Sequence, residues 1–376
     1  MKRYDAILII ASSEVDQDLY YAAKFLAPDP FIFIQRKEEK IMVIGDLEID
    51  RAKVIADADI VLSFSGYKER IKKKKGGDIS FIDVVDEALT DLEIRHILVP
   101  ANFPIEYADT LRERRYIIDF KKAPFWEERG VKSRKEIENI SDILKITEEA
   151  LDAGIQKIRD STIKDGLLYL EGEVLTSEDI KMSMNIILME NAGIARHTIV
   201  ACGIDCCEPH NQGSGQLHAD MPIIIDIFPR SDKHRYFADI TRTVVKGRAS
   251  DELKSIYKTV LAGQEAAFRL IKDGADGKEI HKRILRLFDE SGYRTGIVNG
   301  RMQGFFHGTG HGIGLDIHEF PRISRSGDIL RKGNIVTVEP GLYYPDIRGG
   351  VRIEDMVIVT DDGCINMTRY PKILEI

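Results

Sequence analysis

Short apolar runs alternate with helical patterns in the N-terminal third of the chain. Five runs rich in branched side chains are typical of buried strands: Ile7–Ile10, Phe31–Ile34, Ile41–Ile44, Ile60–Phe64 and Ile94–Val99. Apolar residues at helical spacing predict three helices between them: Asp16–Phe25, Ile82–Leu89 and Pro104–Arg114. This order predicts an α/β domain with a largely buried sheet. The run Lys72–Lys75 is predicted to be a solvated loop.

A polar segment containing Pro124 and Gly130 separates this region from a different pattern. We therefore predict two domains, 1–125 and 126–376. Four helices are predicted in the second, the first capped by Ser133 and Glu136: Ser133 to about Asp160, Thr176–Asn191, Asp251–Lys272 and Gly277–Ser291. Its predicted strands are Ile199–Ala201, Pro222–Phe228, Tyr236–Val245, Asn334–Val338 and Val351–Val359. Helices and strands in separate groups predict an α+β domain.

Composition and charge exclude several classes of protein. The chain has 54 Lys and Arg against 62 Asp and Glu, a net charge of −8 without a basic stripe, which argues against nucleic-acid binding. No apolar run approaches the ~20 residues that cross a bilayer. Four cysteines in 376 residues do not make a disulfide framework. We therefore expect a protein of the reducing cytoplasm.

Four acidic residues interrupt or end predicted strands, where a carboxylate is costly unless it is paired or binds a metal. They are Asp226, Asp239, Glu339 and Glu354. Any one of them could pair with Arg242 or Arg352, or face solvent. Four carboxylates brought together would repel one another, and a cation is the simplest agent that keeps them ionised.

A glycine-rich segment adds three histidines, His307, His311 and His318. Its glycines allow close approach of the backbone to a ligand. One imidazole with four carboxylates favours Mn, Co, Fe or Zn over an oxygen-only site for Ca or Mg. The carboxylates exceed the charge of one ion, so two ions ~3.5–4 Å apart fit better, and such a pair activates water and polarises a carbonyl. The chemistry indicated is metal-assisted hydrolysis of an amide.

These motifs resemble the metallopeptidases of the methionine aminopeptidase, aminopeptidase P and prolidase group. The shared pattern is Asp226, ADITRT with Asp239, GHGIG with His311, VEPG with Glu339 and RIED with Glu354. The runs HGTGHGIGLDIHEFPRIS, TVEPGLYYP and GGVRIEDMVIV are most similar to the proline-specific branch. The resemblance covers Ser133 to the C-terminus. It implies a "pita-bread" domain of two similar halves around the metals, and a homodimer; the preceding domain is closer to archaeal-type prolidases.

The resemblance also implies a role for each matching residue. Asp226 would hold one ion, and Asp239 and Glu354 would bridge both. His311 and Glu339 would complete the first site, and Glu339 would also act as general base or proton shuttle. The expected cofactors are thus two divalent ions, Mn or Co before Zn or Fe.

Further positions are implied on the substrate side. His318 matches the histidine that stabilises the tetrahedral intermediate, and His210 and His307 match further substrate-side histidines. Arg352 matches the arginine that supports a metal-bridging carboxylate. Thr241 lies two positions after Asp239, hence on the same strand face, where it could hydrogen-bond a ligand carboxylate; simple β-propensity explains it equally well.

Two segments depart from the family pattern. Pro229–Arg235 lengthens the connection between the two aspartates, which predicts a longer hairpin loop near the site. The segment Cys202–Asn211 is unusual, and Cys202, Cys206, Cys207 and His210 match no standard zinc spacing. Candidates for the wall that recognises a proline ring are Tyr343, Tyr344 and Phe320, although an ordinary core role is the favoured alternative for any single one of them.

The leading functional hypothesis is hydrolysis of the bond before proline in dipeptides or short peptides. The alternatives are an Xaa-Pro aminopeptidase acting on longer peptides and a non-catalytic peptide-binding relative. Retention of all five candidate ligands argues against the binding protein and against a metal-independent hydrolase of the creatinase type. The sequence does not separate dipeptidase from aminopeptidase.

Overall fold

The computed structural model describes residues 4–376. Contacts among these residues define one unit that ends at Arg129 and a second unit, Gly130–Ile376. The predicted division at 125/126 lies four residues earlier. None of the helices within residues 4–376 has the length and apolar character to span a bilayer.

The first unit is an α/β domain with a six-stranded sheet in the order β4-β3-β2-β1-β5-β6. β2 pairs antiparallel with both β1 and β3, and the remaining pairs are parallel. Its strands are β1 Ala6–Ala11, β2 Phe31–Arg36, β3 Glu39–Ile44, β4 Ile60–Ser63, β5 His96–Pro100 and β6 Ile117–Lys121. Its helices are α1 Gln17–Ala23, α2 Asp46–Ile55, α3 Phe64–Lys75, α4 Phe81–Asp91 and α5 Ile105–Glu113.

The structure adds β6, α2 and α3 to the predicted elements and corrects one prediction. The run Lys72–Lys75 is not a loop but the last turn of α3, where positive charge favours the helix dipole. α3 buries only Ile71, and α2 buries only Ala52. Helices with one buried residue have no apolar periodicity, which is why the sequence pattern did not predict them.

The second unit carries four longer helices among short strands. The helices are α6 Arg134–Asp160, α7 Ser177–Glu190, α8 Asp251–Leu270 and α9 Gly277–Glu290. The strands are β7 Thr162–Lys164, β8 Leu167–Leu170, β9 Glu173–Val174, β10 Gly193–Ile194, β11 Ile199–Cys202, β12 Ile223–Ile227, β13 Arg230–Ser231, β14 Ile240–Val244, β15 Gly296–Val298, β16 Arg301–Gln303, β17 Gly310–Gly312, β18 Glu319–Ile323, β19 Ile335–Val338, β20 Gly341–Tyr344, β21 Gly349–Arg352, β22 Asp355–Val359 and β23 Cys364–Asn366.

Two predictions for this unit have clear outcomes. The capping box of Ser133 and Glu136 at the start of α6 is confirmed. The single strand predicted over Val351–Val359 is wrong, because the chain leaves one sheet after β21 and enters another at β22. Glu354 lies at this break, and the break aims its carboxylate into the interior.

Each half of the second unit is a helix pair packed on a sheet. In the first half, α6 and α7 cover the sheet β11-β12-β14. In the second half, α8 and α9 cover the sheet β18-β17-β19-β22-β23. One glycine lies at each helix contact: a Cβ at Gly154 would lie 3.0 Å from Met184 Cγ, and one at Gly263 would lie 2.7 Å from Phe288 Cε1. Both helix pairs therefore approach more closely than a larger residue allows.

Candidate metal centre and active site

One cavity of about 690 Å³ in the second unit collects most of the predicted site residues. Its lining includes the five candidate metal ligands, Asp226, Asp239, His311, Glu339 and Glu354. It also includes His210, His307, His318 and Arg352. The first half supplies the aspartates and the second half supplies His311 and the glutamates, so both halves contribute to one site.

Three of these side chains place ligand atoms within 4.8 Å of one another: Asp239, His311 and Glu354. His311 lies in β17, and its Nδ1 donates to the carbonyl oxygen of Gly312 over 3.0 Å. Its Nε2 is therefore left with a lone pair, 3.7 Å from Oδ2 of Asp239 and 3.5 Å from Oε1 of Glu339. Burial lowers the pKa of His311 to about 3, which keeps the imidazole neutral, as a metal ligand must be.

The carboxylates of the cavity carry buried oxygens that lack a hydrogen-bond partner among the described residues. These atoms are Oδ1 of Asp226, Oδ1 of Asp239 and Oε1 of Glu354. Burial and mutual repulsion raise the pKa of Asp239 and Glu339 well above the ordinary range, and the pKa of Glu354 to about 8. A buried carboxylate without a partner is costly, and a divalent cation removes both the cost and the repulsion. The donor set therefore fits divalent metal ions.

Arg352 and Thr241 hold two of these carboxylates. Thr241 Oγ1 donates to Glu354 Oε2 over 2.8 Å, as strand alternation predicts, and accepts from Arg352 Nε over 3.3 Å. Arg352 Nη2 donates to Asp226 Oδ2 over 2.6 Å. This corrects one expectation, because Arg352 directly contacts the aspartate expected to hold one ion rather than a bridging carboxylate. It reaches Glu354 only through Thr241.

Burial favours the neutral form of two substrate-side histidines, His318 and His307. The ring centroids of His318 and His311 lie 4.3 Å apart, and burial lowers the pKa of His318. His307 Nδ1 donates to the Gly308 carbonyl over 2.8 Å, and its Nε2 accepts from the Tyr343 hydroxyl over 2.8 Å. Burial and the Arg352 charge lower the pKa of His307 to about 3.

Two of the three aromatic candidates for the wall of the pocket do not line the cavity. The Tyr343 side chain is fully buried, and its hydroxyl is held between His307 and Arg352. The Tyr344 hydroxyl donates to the carbonyl oxygen of Arg294, away from the cavity. Phe320 does line the cavity, and the other apolar lining residues are Ile199, Pro209, Phe228 and Ile317.

The two unusual segments have ordinary structural roles. Residues 229–235 lie in the connection between the antiparallel strands β12 and β14, as predicted. None of them lines the cavity, and β13 within this connection pairs with β10. Cys206 and Cys207 donate to the carbonyl oxygens of Ala201 and Gly349. In the part of the chain that the structure describes, Asp239, His311 and Glu354 form the one group of three suited to a metal, so a cysteine zinc site is not supported.

Sequence reasoning missed a buried ion pair beside His318. Lys132 Nζ lies 2.8 Å from Glu319 Oε2, and the two side chains are 1% and 7% exposed. Glu319 Oε1 accepts from the backbone N–H groups of Leu315 and Asp316 over 2.9 and 3.1 Å. The carboxylate thus fixes the turn between His311 and His318. The position of Glu319 directly after His318 could have marked it as a site residue. Its partner Lys132 lies 187 positions away in the sequence, so the ion pair itself has no local pattern.

Comparison with known proteins agrees with this geometry. Residues 138–361 match Metallopeptidase family M24. The Xaa-Pro dipeptidase of Pyrococcus furiosus is 32% identical over 336 residues, 88% of this chain and 85% of the relative. That of Pyrococcus horikoshii is 31% identical over 306 residues, 80% of this chain and 81% of the relative.

Solved structures extend the similarity to the whole chain. The prolidase from Pyrococcus horikoshii OT3 superposes with a TM-score of 0.78 at 27% identity, covering 99% of this chain and 95% of that one. The X-Pro aminopeptidase from Thermotoga maritima gives 0.80 at 27% identity, covering 99% and 98%. These similarities confirm the predicted fold, an α/β domain followed by a pita-bread catalytic domain. The chain belongs to metallopeptidase family M24 and is a metallopeptidase that uses divalent metal ions.

Proposed function

We propose that this protein is an Xaa-Pro dipeptidase, which hydrolyses the peptide bond before proline in dipeptides. The observation that carries the proposal is a single cavity that combines a divalent-metal donor set, neutral histidines, an apolar wall and a cation. The two Pyrococcus relatives, both Xaa-Pro dipeptidases, support the substrate class.

The cavity matches the two distinctive parts of such a substrate. The bond before proline lacks an N–H, so the enzyme must recognise the ring by shape, and Phe228, Ile317 and Phe320 supply an apolar wall. A dipeptide also has a carboxylate close to the scissile bond. Of the cavity-lining cations, Arg352 donates from Nη2 to Asp226. Arg322 stacks on Phe320 with its guanidinium carbon 4.7 Å from the ring centroid. Of its guanidinium nitrogens only Nε donates to a carboxylate of the described residues, Asp328 Oδ2, over 3.3 Å, so its Nη groups are the ones offered to a substrate. We assign Arg322 to the substrate carboxylate.

The proposed metal ligands are Asp226, Asp239, His311, Glu339 and Glu354, with Mn²⁺ or Co²⁺ as the ions and Zn²⁺ or Fe²⁺ as alternatives. When bound, two such ions lower the pKa of water and polarise the substrate carbonyl. Arg352 keeps Asp226 oriented, and Thr241 does the same for Glu354.

The remaining roles fall to protein groups that move or hold protons. Glu339, whose carboxylate lines the cavity beside the other proposed ligands, would accept the proton of the attacking water and pass it to the leaving nitrogen. His318 would hydrogen-bond to the carbonyl oxygen as negative charge develops there. His210 and His307 would contact the substrate from the same cavity.

The direct test is turnover of three peptides after removal of metal with a chelator and addition of Mn²⁺ or Co²⁺. We expect cleavage of Ala-Pro, with Ala-Ala not cleaved. Cleavage of Ala-Pro-Ala with slow cleavage of Ala-Pro would instead show an aminopeptidase. No turnover of any peptide by metal-loaded protein would contradict the peptidase assignment to proline substrates.

Two variants test the proposed carboxylate site. Arg322→Gln should raise KM for Ala-Pro at least tenfold with kcat within a few-fold, because it removes binding rather than chemistry. Arg325→Gln is the matched control, since this neighbouring arginine is exposed and does not line the cavity. An unchanged KM in Arg322→Gln would contradict the assignment.

We also propose that the protein works as a homodimer in the cytoplasm. The family resemblance supports the dimer, and four free thiols support a reducing compartment. Light scattering coupled to size-exclusion chromatography tests the dimer, with a mass near 42.6 kDa as the contradicting result.

A further inference from the structure

A buried glutamine joins the two backbone segments that present Glu339 and Glu354. Gln264 lies on α8 and is fully buried. Its Nε2 donates to the carbonyl oxygen of Val338 over 2.8 Å and to that of Ile353 over 3.2 Å. These carbonyls belong to the residues that immediately precede the two glutamates.

The contact occurs where the strand pairing changes. In the larger sheet Val338 pairs with Asp355, whereas in the neighbouring two-stranded sheet Gly341 pairs with Arg352. Between these pairs the backbone N–H of Glu339 donates to the Thr309 carbonyl, and that of Glu354 donates to the Thr241 carbonyl. The glutamate N–H groups thus bond to other segments instead of to each other's strands.

The side-chain amide satisfies the carbonyls on the other side of this break. A buried carbonyl without a donor is costly, and Nε2 has two hydrogens, one for each. The opposite amide orientation would place Oε1 against two carbonyl oxygens, so the orientation is fixed by chemistry. Oε1 of Gln264 has no hydrogen-bond partner among the described residues, a cost that the two Nε2 bonds offset.

We propose that Gln264 is a positioning residue that sets the separation of the Glu339 and Glu354 carboxylates and thereby the spacing of the two metal sites. The inference rests on the proposed metal ligands. Gln264 itself does not line the cavity and touches neither carboxylate; it acts through the two backbone segments. Outer residues that orient metal ligands typically change metal affinity 10–100-fold when removed.

The test compares metal binding by the full-length parent, Gln264→Met and Val260→Ala. Methionine keeps the length of the side chain without its donors. Val260→Ala removes buried volume from the same helix and keeps both hydrogen bonds of Gln264 Nε2. Isothermal titration calorimetry of the metal-free protein with Mn²⁺ should show a dissociation constant at least tenfold higher for one of the two ions in Gln264→Met. The electron paramagnetic resonance signal of a coupled Mn²⁺ pair should be lost, and kcat for Ala-Pro should fall with KM little changed. Val260→Ala should match the parent.

Gln264→Asn is the milder second variant, because it keeps a neutral amide that is one methylene too short to reach both carbonyls. It should weaken Mn²⁺ binding in the same direction. Parent-like affinity and a retained coupled signal in the folded variants would overturn the role of Gln264 while leaving the proposed function intact. A parent that binds no Mn²⁺ would overturn the proposed metal site and this inference with it.

Discussion

The two halves of the catalytic unit share a scaffold but hold their metal-facing carboxylates in different ways. Each half packs a helix pair on a sheet, with Gly154 or Gly263 at the helix contact. The residue after this glycine differs: it is the apolar Ile155 in the first half and the polar Gln264 in the second. Both are buried.

The strand pairing explains this difference. In the first half, β12 and β14 pair without interruption from Ile223–Val244 to Ile227–Ile240, so the backbone satisfies itself around Asp226. In the second half, pairing breaks at both glutamates, and Gln264 supplies the missing donors. The backbone around a carboxylate in a continuous ladder thus needs no side-chain donor, whereas the backbone at a strand break needs one from a buried polar residue.

The largest effect is expected from removing one proposed ligand in either half. Asp239→Asn and Glu354→Gln should each lower kcat/KM for Ala-Pro by about 10³-fold or more, because metal ions supply several kcal/mol of transition-state stabilisation. In chelator at neutral pH both variants should melt at a higher temperature than the parent, since each removes a carboxyl group that is ionised in the unfolded state and must take up a proton on folding because its folded pKa is raised. Exposed Glu252→Gln serves as the control. Full activity in either variant would contradict a contribution of that half to metal binding.

The second prediction concerns side chains that position the glycine-rich turn. Lys132→Met should destabilise the protein by about 3–5 kcal/mol, because it removes the ammonium group from a buried ion pair with Glu319. It should also lower kcat through the loosened turn that carries His318, and Lys132→Arg should restore part of both. In the first half, Ser177→Ala removes a buried donor to the Val200 carbonyl, yet should leave kcat within twofold. Equal losses of kcat in Lys132→Met and Ser177→Ala would contradict the difference between the two halves.

The free energy of unfolding of the metal-free protein should fall as the pH rises. The folded pKa of Glu354 is about 8, above its ordinary value of 4.5, so the folded state binds more protons than the unfolded state. Its contribution is fully present below pH 4.5 and is lost as the pH rises through 8, at up to about 1.4 kcal/mol per pH unit for each proton. Urea unfolding in chelator at pH 5, 6.5 and 8 measures this fall. Saturating Mn²⁺ should flatten or reverse it, and stability that rises with pH in chelator would contradict it.

The smallest effect compares the two contact glycines. A Cβ at Gly263 would lie 2.7 Å from the rigid ring of Phe288. One at Gly154 would lie 3.0 Å from the flexible side chain of Met184 and 3.1 Å from Cγ2 of Ile180, contacts that a small shift relieves. Gly263→Ala should therefore cost about 1–3 kcal/mol through overpacking. Gly154→Ala should be close to neutral, because the helix propensity of alanine offsets a small shift of Met184. Denaturant midpoints of the two variants give the difference, and an equal cost would show that the two helix contacts are equivalent.

The sequence predicted the donor set because metal chemistry requires particular residue types in order along the chain. It predicted α6 because that helix has a capping box and a buried stripe. It missed α2 and α3 because each buries a single residue, which leaves no periodicity to detect.

Two site features depend on tertiary contacts that local patterns do not encode. Tyr343 is a residue type suited to a pocket wall, but its hydroxyl donates to His307 Nε2 and accepts from Arg352 Nη1, which buries the ring. Gln264 has the appearance of a solvent-facing polar residue on an amphipathic helix. Its burial follows from a strand break 74 and 89 positions further along the chain.

The most direct test of a metal site built by both halves is the anomalous diffraction of a crystal grown with Mn²⁺. We expect two anomalous peaks in the cavity, about 3.5–4 Å apart. Carboxylates of Asp226 or Asp239 from the first half and of Glu339 or Glu354 from the second should contact them. A single peak held by residues of one half, or no peak in this cavity, would contradict it.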